Sequence, residues 1–273
     1  MENKVVLITG ASTGIGLSAA EQLMNRGAKV YAASRHGENL KTVENGVGKL
    51  IHVKMDVNKQ EEIDAVIAQI LKENNLLDAV ISNAGNGIAG SVEDTSEEEM
   101  RYQFETNFFG AVKVINACIP IFRKQGSGKI IVTSSVAAIV PIPFQAFYSS
   151  VKAALLLYIQ ALSIELKPFG IQCCSILPGD TKTGFTAARK YTEKSKLPES
   201  VYLEKMNKSV QKMEHDEQNG MDAFVVAQKL VNQVYKKNMK VSVVPGIQYK
   251  LICFLFNRLP AGIRLWLVGL IYG

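Results

Sequence analysis

The 273-residue sequence is short of the side chains from which disulfide frameworks and metal centres are built. Its four cysteines, Cys118, Cys173, Cys174 and Cys253, form no CxxC pair, and none stands at ligand spacing from one of the three histidines. They read as reduced core thiols, and no metal ligand is assigned. No basic stripe with interleaved aromatics is present either. The 31 Lys and Arg exceed the 25 Asp and Glu, but they are scattered, and Lys236-Lys237 sits beside a helix end whose dipole it complements. Nucleic acid is therefore not an expected partner.

Long hydrophobic runs are missing too. Val5-Val6-Leu7-Ile8 is far too short for the apolar core of a signal peptide, so the cytoplasm is the expected location. The tail, 249–273, is apolar in two pieces, 251–256 and 265–272, with Arg258, Pro260, Gly262 and Arg264 between them. A spanning helix needs about 20 mostly apolar residues. The tail is expected to pack on the body or a partner subunit, or to lie against the substrate entrance or a membrane surface as a peripheral contact, and not to cross a bilayer.

What is present is an ordinary globular balance, 47% hydrophobic and 21% charged, in a chain long enough for one large α/β core. Short β-branched runs at 5–8, 29–33, 50–55, 78–82, 129–133, 171–177 and 240–244 alternate with helix-length amphipathic segments at 15–26, 59–73, 97–124, 151–167 and 221–236. That alternation predicts a single Rossmann-type doubly wound parallel sheet of about seven strands, covered by helices on both faces. Residues 1–248 are read as one dinucleotide-binding and catalytic domain, with 249–273 part of it or interfacial. The polar Lys- and Glu-rich stretch 180–220 breaks the rhythm and is expected to be a mobile helical substrate flap.

Residues 9–16, Thr-Gly-Ala-Ser-Thr-Gly-Ile-Gly, leave the first strand and open the first helix. There a glycine loop has physical meaning: Gly10 permits a tight turn, Gly14 lets backbone approach a pyrophosphate, and Gly16 permits close helix packing. The helix N-terminus, with Ser12, Thr13 and Ile15 around it, supplies N–H donors and a positive dipole end. About 20 residues further on, NAD-selective versions of the fold carry Asp or Glu. Here Ser34-Arg35 stands instead, with no carboxylate to repel a 2′-phosphate and a guanidinium fork to bind one. NADP(H) is the expected cofactor, with NAD(H) the alternative.

Tyr148 and Lys152 are one helical turn apart, so both project from one face. A free tyrosine is a poor base, but a neighbouring ammonium favours its phenolate and suits it to proton exchange at a hydroxyl or carbonyl. Ser134-Ser135 ends the preceding strand at the carboxyl edge, where such sheets place ligands. With these in order the chain resembles the short-chain dehydrogenase/reductase family from Lys4 to about Val244. The resemblance rests on residues 9–16, Asp56, Asn83-Ala84-Gly85, Asn107, Ser135, Tyr148, Lys152 and Pro178-Gly179.

The resemblance implies a role for each. Asp56, with Val57 beside it, would touch the adenine; Asn83, Ala84 and Gly85 would shape the cofactor cleft; Asn107 would hold Lys152 through water in a proton relay. Ser135 would bind the substrate oxygen, Tyr148 would transfer the proton, and Lys152 would also hold the nicotinamide ribose. Pro178, Gly179, Thr181 and Thr183 would lie beside the nicotinamide carboxamide.

Ala137, Ile142, Phe144 and Phe147 are candidate walls of an apolar substrate pocket. The stretch 133–152 is similar to the hydroxysteroid and retinol dehydrogenases of the family, including the 17β-hydroxysteroid branch. The expected activity is therefore interconversion of a hydrophobic secondary alcohol and ketone, a steroid first. An acyl-chain lipid ketone of the acyl-dihydroxyacetone phosphate type, or a retinoid, is the alternative substrate. A silent NADP(H)-sensing protein is the non-enzymatic alternative, against which the complete Asn107, Ser135, Tyr148 and Lys152 set argues. The 151–167 helix is apolar nearly all round, which predicts a homodimer or homotetramer contact shared with the 97–124 helix.

Overall fold

Five buried residues in a row, Val5–Thr9, make strand β1, and burial on both faces is what a parallel strand inside a helix-covered sheet requires. The computed structural model describes residues 3–272. After β1 come α1 (Gly14–Met24), β2 (Lys29–Ser34), β3 (Val43–Glu44), β4 (Lys49–Lys54), α2 (Gln60–Asn74), β5 (Ala79–Ser82) and β6 (Ile88–Ala89). The middle of the chain forms α3 (Glu97–Phe104), α4 (Ala111–Gln125), β7 (Gly128–Thr133), α5 (Ala146–Glu165) and β8 (Ile171–Ile176). Then follow β9 (Thr181–Lys182), α6 (Phe185–Ala188), β10 (Lys190–Tyr191), α7 (Leu203–Gln218), β11 (Met221–Asp222), α8 (Ala223–Tyr235) and β12 (Ser242–Val243). Two helices end the described chain, α9 (Ile247–Arg258) and α10 (Ala261–Tyr272).

The main sheet runs β12-β8-β7-β5-β1-β2-β4-β3. All seven expected strands are in it and run parallel; the eighth, β3, pairs antiparallel with β4 at the edge. From β1 the chain winds outward through β2 and β4, and from β5 outward the other way through β7 and β8. The reversal lies between β1 and β5, so a crevice opens at their carboxyl ends.

Strand alternation splits the core in two. Val5 and Leu7 face the layer shared with α2, α4 and α5, while Val6 and Ile8 face that of α1 and α8. Cys173 and Cys174, adjacent on β8, fall into opposite layers, and all four cysteines are buried and unpaired to one another. Helix α5 is long and apolar enough by composition to cross a membrane. It instead buries Val151, Leu155, Ile159 and Leu162 along one stripe.

Three segments depart from the sequence expectation. The single helix expected over 97–124 is interrupted by a π-helical turn, Glu105–Gly110, which shifts the phase between α3 and α4. Helix α5 starts at Ala146, more than a turn early, so Tyr148 already lies inside it. The 180–220 flap is docked: Met206, Val210 and Met213 of α7 are buried against Ala89 and half-buried Ile142, Phe144 and Tyr191. Its Lys and Glu residues had masked this stripe, because they occupy the outer face. Arg189, its side chain wholly enclosed, pairs with Glu217, which also accepts the Thr186 hydroxyl at 2.6 Å.

One polar cluster ties β2 to α2. The fully buried Tyr31 donates its hydroxyl to Glu73 at 2.5 Å and accepts from Asn74 Nδ2 at 2.8 Å, while Lys29 donates to Glu73 at 2.9 Å. The Tyr31, Gln69 and Lys29 donors hold the Glu73 carboxyl at about 2. A depressed carboxylate stabilises the fold above its ordinary range and loses that effect as pH falls through the folded value. Tyr31→Phe is expected to cost on the order of 1 kcal/mol at pH 7, near the low end for a bond to a charged group because Glu73 is partly exposed. In thermal melts the gap between variant and parent should close as pH falls from 4.5 towards 2; a constant gap would assign the loss to packing alone.

Candidate active site

Two glycines in the loop after β1 adopt left-handed conformations, Gly10 at φ 64° and Gly14 at φ 57°. A Cβ on Gly10 would come within 2.7 Å of the Ala84 backbone, and one on Gly16 within 2.3 Å of the Gly10 carbonyl. Gly10 and Gly16 therefore permit close packing. Above Gly14 the nearest atom to such a Cβ is Thr183 Cβ at 3.3 Å, so backbone and Thr183 face each other across a narrow gap. Thr13 precedes α1 without a side-chain cap, which leaves the first-turn N–H groups to a ligand. Ser12 and Thr13 are exposed and Ile15 is half-buried beside them.

The ends of β1, β5 and β7 are knitted by side chains. Thr9 Oγ1 accepts from the backbone N–H groups of Asn83 and Ala84, both at 3.0 Å. Asn83 donates through Nδ2 to the Gly10 carbonyl at 3.1 Å and accepts the Thr133 hydroxyl at 3.0 Å. Thr133 was not among the expected site residues; nothing in a strand-end threonine distinguishes it by sequence.

At the end of β2, Ser34 is buried and its hydroxyl has no partner, whereas Arg35 just beyond is exposed. An orphaned hydroxyl beside a free guanidinium fits an absent oxyanion such as a 2′-phosphate. Asp56 lies half-buried after β4, accepting from the Asn58 N–H at 3.0 Å, and the neighbouring Val57 is buried against Gly110.

Asn107 lies in the π-helical turn, buried and oriented on every side. Its Nδ2 donates to Asn86 Oδ1 at 2.8 Å and to the Gln103 carbonyl at 2.9 Å, and its Oδ1 accepts the Asn86 N–H at 3.3 Å. Lys152 is buried one turn along α5 from Tyr148 and donates to the Thr133 carbonyl at 3.0 Å. A side chain at Gly85 would lie 2.7 Å from Asn107 Oδ1 and 3.8 Å from Lys152 Nζ. The two therefore flank one small space over an exposed glycine.

Ser135 Oγ caps the turn after β7, accepting from the Ala137 N–H at 3.1 Å, and donates weakly to the Pro178 carbonyl at 3.4 Å. Ser134 instead points inward, to the Lys152 carbonyl at 2.9 Å. Among apolar neighbours the Tyr148 hydroxyl is pushed up to about 12 by loss of water, with Ser135 pulling the other way. Burial also lowers Lys152 to about 8. For both groups burial is the largest influence. Lys152 Nζ sits 5.6 Å from the Tyr148 ring centroid.

Ala137 is buried, Ile142 and Phe144 pack with α7, and Phe147 is half-buried next to Tyr148. Phe144 holds φ 59°, an uncommon conformation for a bulky residue, with its carbonyl accepting the Gly90 N–H at 2.9 Å. Phe185, missed by sequence reading, brings its ring within 5.8 Å of the Tyr148 ring. Tyr249 of α9 packs on Gly179 and donates to Asp180 at 2.9 Å. Thr181 donates to the Gly179 carbonyl at 2.8 Å, and Thr183 accepts the Phe185 N–H at 3.2 Å.

A glycine-loop crevice beside a half-buried tyrosine and a buried lysine defines a class, and the comparisons agree with it. The short chain dehydrogenase family matches residues 4–194. The chain belongs to this family and is an alcohol/ketone oxidoreductase acting with a nicotinamide cofactor. It is 38% identical over 238 residues to a 3-ketodihydrosphingosine reductase of Bacteroides thetaiotaomicron, covering 87% of this chain and 86% of that one. A chain of Helicobacter pylori named as a probable short-chain type dehydrogenase/reductase is 34% identical, covering 94% and 93%. The crystal structure of a short-chain dehydrogenase from Streptomyces avermitilis superposes with a TM-score of 0.81 at 27% identity, over 97% of this chain and 96% of the other.

The opposed shifts fix a pH dependence. Near neutral pH Tyr148 carries its proton and Lys152 its charge; raising pH through about 8 removes the lysine charge first. Because kcat/KM reports groups of the free enzyme, its value for carbonyl reduction is expected to fall along one limb above about pH 8. A flat profile from pH 6 to 10 would take Lys152 out of the reacting ensemble.

Proposed function

We propose that the protein reduces the carbonyl of a hydrophobic, long-chain lipid ketone with NADPH, Tyr148 giving its proton to the substrate oxygen. The observation that carries this is the convergence of Tyr148 and Lys152 beside Ser135 at the carboxyl edge of β7, with the apolar Phe185 ring against Tyr148. A phenol that keeps its proton at neutral pH is the acid that the reductive direction uses. When bound, the reduced cofactor supplies the hydride. Ser135 hydrogen-bonds the carbonyl oxygen and orients it to the Tyr148 hydroxyl. Lys152 places a positive charge beside the tyrosinate as the proton leaves, and Asn107 holds the water that restores it.

The adenine end falls to Asp56 and Val57. Gly10, Gly14 and Gly16 with Ser12, Thr13 and Ile15 take the pyrophosphate, and Asn83, Ala84 and Gly85 floor the cleft. Pro178, Gly179, Thr181 and Thr183 hold the carboxamide. Ala137, Ile142, Phe144 and Phe147 line the substrate channel.

Between the substrate classes that an apolar pocket admits, a steroid and an acyl-chain lipid, likeness to the 3-ketodihydrosphingosine reductase of Bacteroides favours the lipid. Apolar side chains left exposed on α5 and the π-helical turn, Leu157, Ile164 and Phe109, support a homodimer or homotetramer in the cytoplasm through that face.

Tyr148→Phe is expected to lower kcat for a long-chain ketone by at least ~10²-fold, the scale of a positioned acid, with NADPH affinity in fluorescence titration unchanged. Near-normal turnover would remove Tyr148 as the acid. The orphaned Ser34 hydroxyl and Arg35 favour NADP(H) over NAD(H). Ser34→Asp should reverse the ratio of kcat/KM values for the two cofactors by repelling the 2′-phosphate, and a parent enzyme faster with NADH would refute the preference.

A further inference from the structure

Helices α9 and α10 present apolar side chains on both their inner and outer faces. The inward stripes are Tyr249, Cys253 and Phe256 in α9 and Val268 with the half-buried Tyr272 in α10. Facing outward are Leu251, Phe254 and Leu255 from the first and Leu265, Trp266 and Leu270 from the second, all exposed. A surface helix of a water-borne domain turns polar residues outward, and exposed apolar faces of this extent mark a contact.

The charge on the hairpin selects what makes that contact. Residues 247–272 contain Lys250, Arg258 and Arg264 and no Asp or Glu. The Arg258 guanidinium lies 4.7 Å from the Phe254 ring centroid and that of Arg264 lies 5.0 Å from Phe256, so their stems run along apolar rings. A two-fold contact between copies would set this patch against itself, cations facing cations with no acid to pair them. An anionic lipid surface is complementary to both the charge and the apolar face. Each helix has 12 residues, about 18 Å at 1.5 Å per residue, short of the ~30 Å hydrocarbon core.

We propose that the α9–α10 hairpin docks the enzyme flat on an anionic bilayer, with Leu265, Trp266 and Leu270 in the acyl boundary and Lys250 and Arg258 among the headgroups. The same hairpin is fastened to the substrate side of the site. Tyr249 donates to Asp180, and Tyr272 packs against the same buried cluster around Met206 of α7 that Ile142 and Phe144 pack against. Docking therefore brings the apolar walls beside Tyr148 next to lipid.

Trp266 is the chain's one tryptophan, so intrinsic emission reads this surface. The full chain, mixed with vesicles of phosphatidylcholine and phosphatidylglycerol, should float with them and shift its emission to the blue; pure phosphatidylcholine should give a weaker response. The double variant Leu265→Glu with Leu270→Glu should lower the partition coefficient at least about tenfold while keeping the parental melting temperature, since both side chains point away from the body. Leu251→Glu, on the other helix, should act in the same direction. Parent protein that stays unbound at phosphatidylglycerol-rich vesicles, or a folded double variant that binds as well, would overturn the proposal. So would a blue shift that appears without vesicles as concentration and light-scattering mass rise together, which would make a second copy the occupant. No readout involves substrate or turnover, so the docking fails or stands separately from the ketone assignment.

Discussion

The site depends on how three strand ends are held in register by one buried threonine and one asparagine. Thr9, with no exposed surface, accepts two backbone N–H groups from the β5 end, and Asn83 spans from the glycine loop to Thr133 on β7. Those backbone donors would otherwise be orphaned where the strands diverge, at a cost of about 1–3 kcal/mol for each buried group left unpaired. Closing them with side chains lets the crevice stay open without fraying. The same Thr133 then offers its carbonyl to Lys152, so the lysine's position is set by the cofactor cleft and not by its own helix alone.

From that anchoring follows an electrostatic arrangement with little slack. Enclosure moves Tyr148 up and Lys152 down, each towards its uncharged form, because a dry site penalises either charge alone. A tyrosinate becomes affordable only when the ammonium is there to face it. In the proposed mechanism the proton leaving Tyr148 would create the charge that Lys152 stabilises, so the pair would favour the reacting state over the resting one. Asn107, fixed by contacts to Asn86 and Gln103 inside a π-helical turn, acts on Lys152 from the far side of Gly85.

Strand positions, the glycine loop and the tyrosine–lysine pair could be read from residues because each has a local signature: β-branched runs, glycines at a strand–helix junction, a one-turn spacing on a helix. The rest depends on contacts distant in sequence. A π-helical turn adds a single residue to a helix and leaves no period of its own, so the break at Glu105–Gly110 was invisible. Phe185 meets Tyr148 across 37 positions, and the apolar stripe of α7 lay hidden under Lys and Glu on its outer face. The electrostatics are non-local in the same way: a sequence shows which charge is near, whereas burial is a property of the folded site.

The tail illustrates why parts of this protein cannot be treated as separable. Tyr249 packs where a Gly179 side chain would be and holds Asp180; two residues further on, Thr181 braces that turn, and Thr183 then closes on Gly14. A displacement of α9 therefore passes through a short run of backbone to the wall of the cofactor loop. Asp180 is itself raised by burial, with the Tyr249 hydroxyl opposing the shift, so removing the tail would expose a carboxylate and loosen the turn together. Deleting α9 and α10 would for this reason disturb cofactor contacts as well as any surface contact the hairpin makes. Only substitutions on the outward face, where no side chain reaches the body, isolate what that face does.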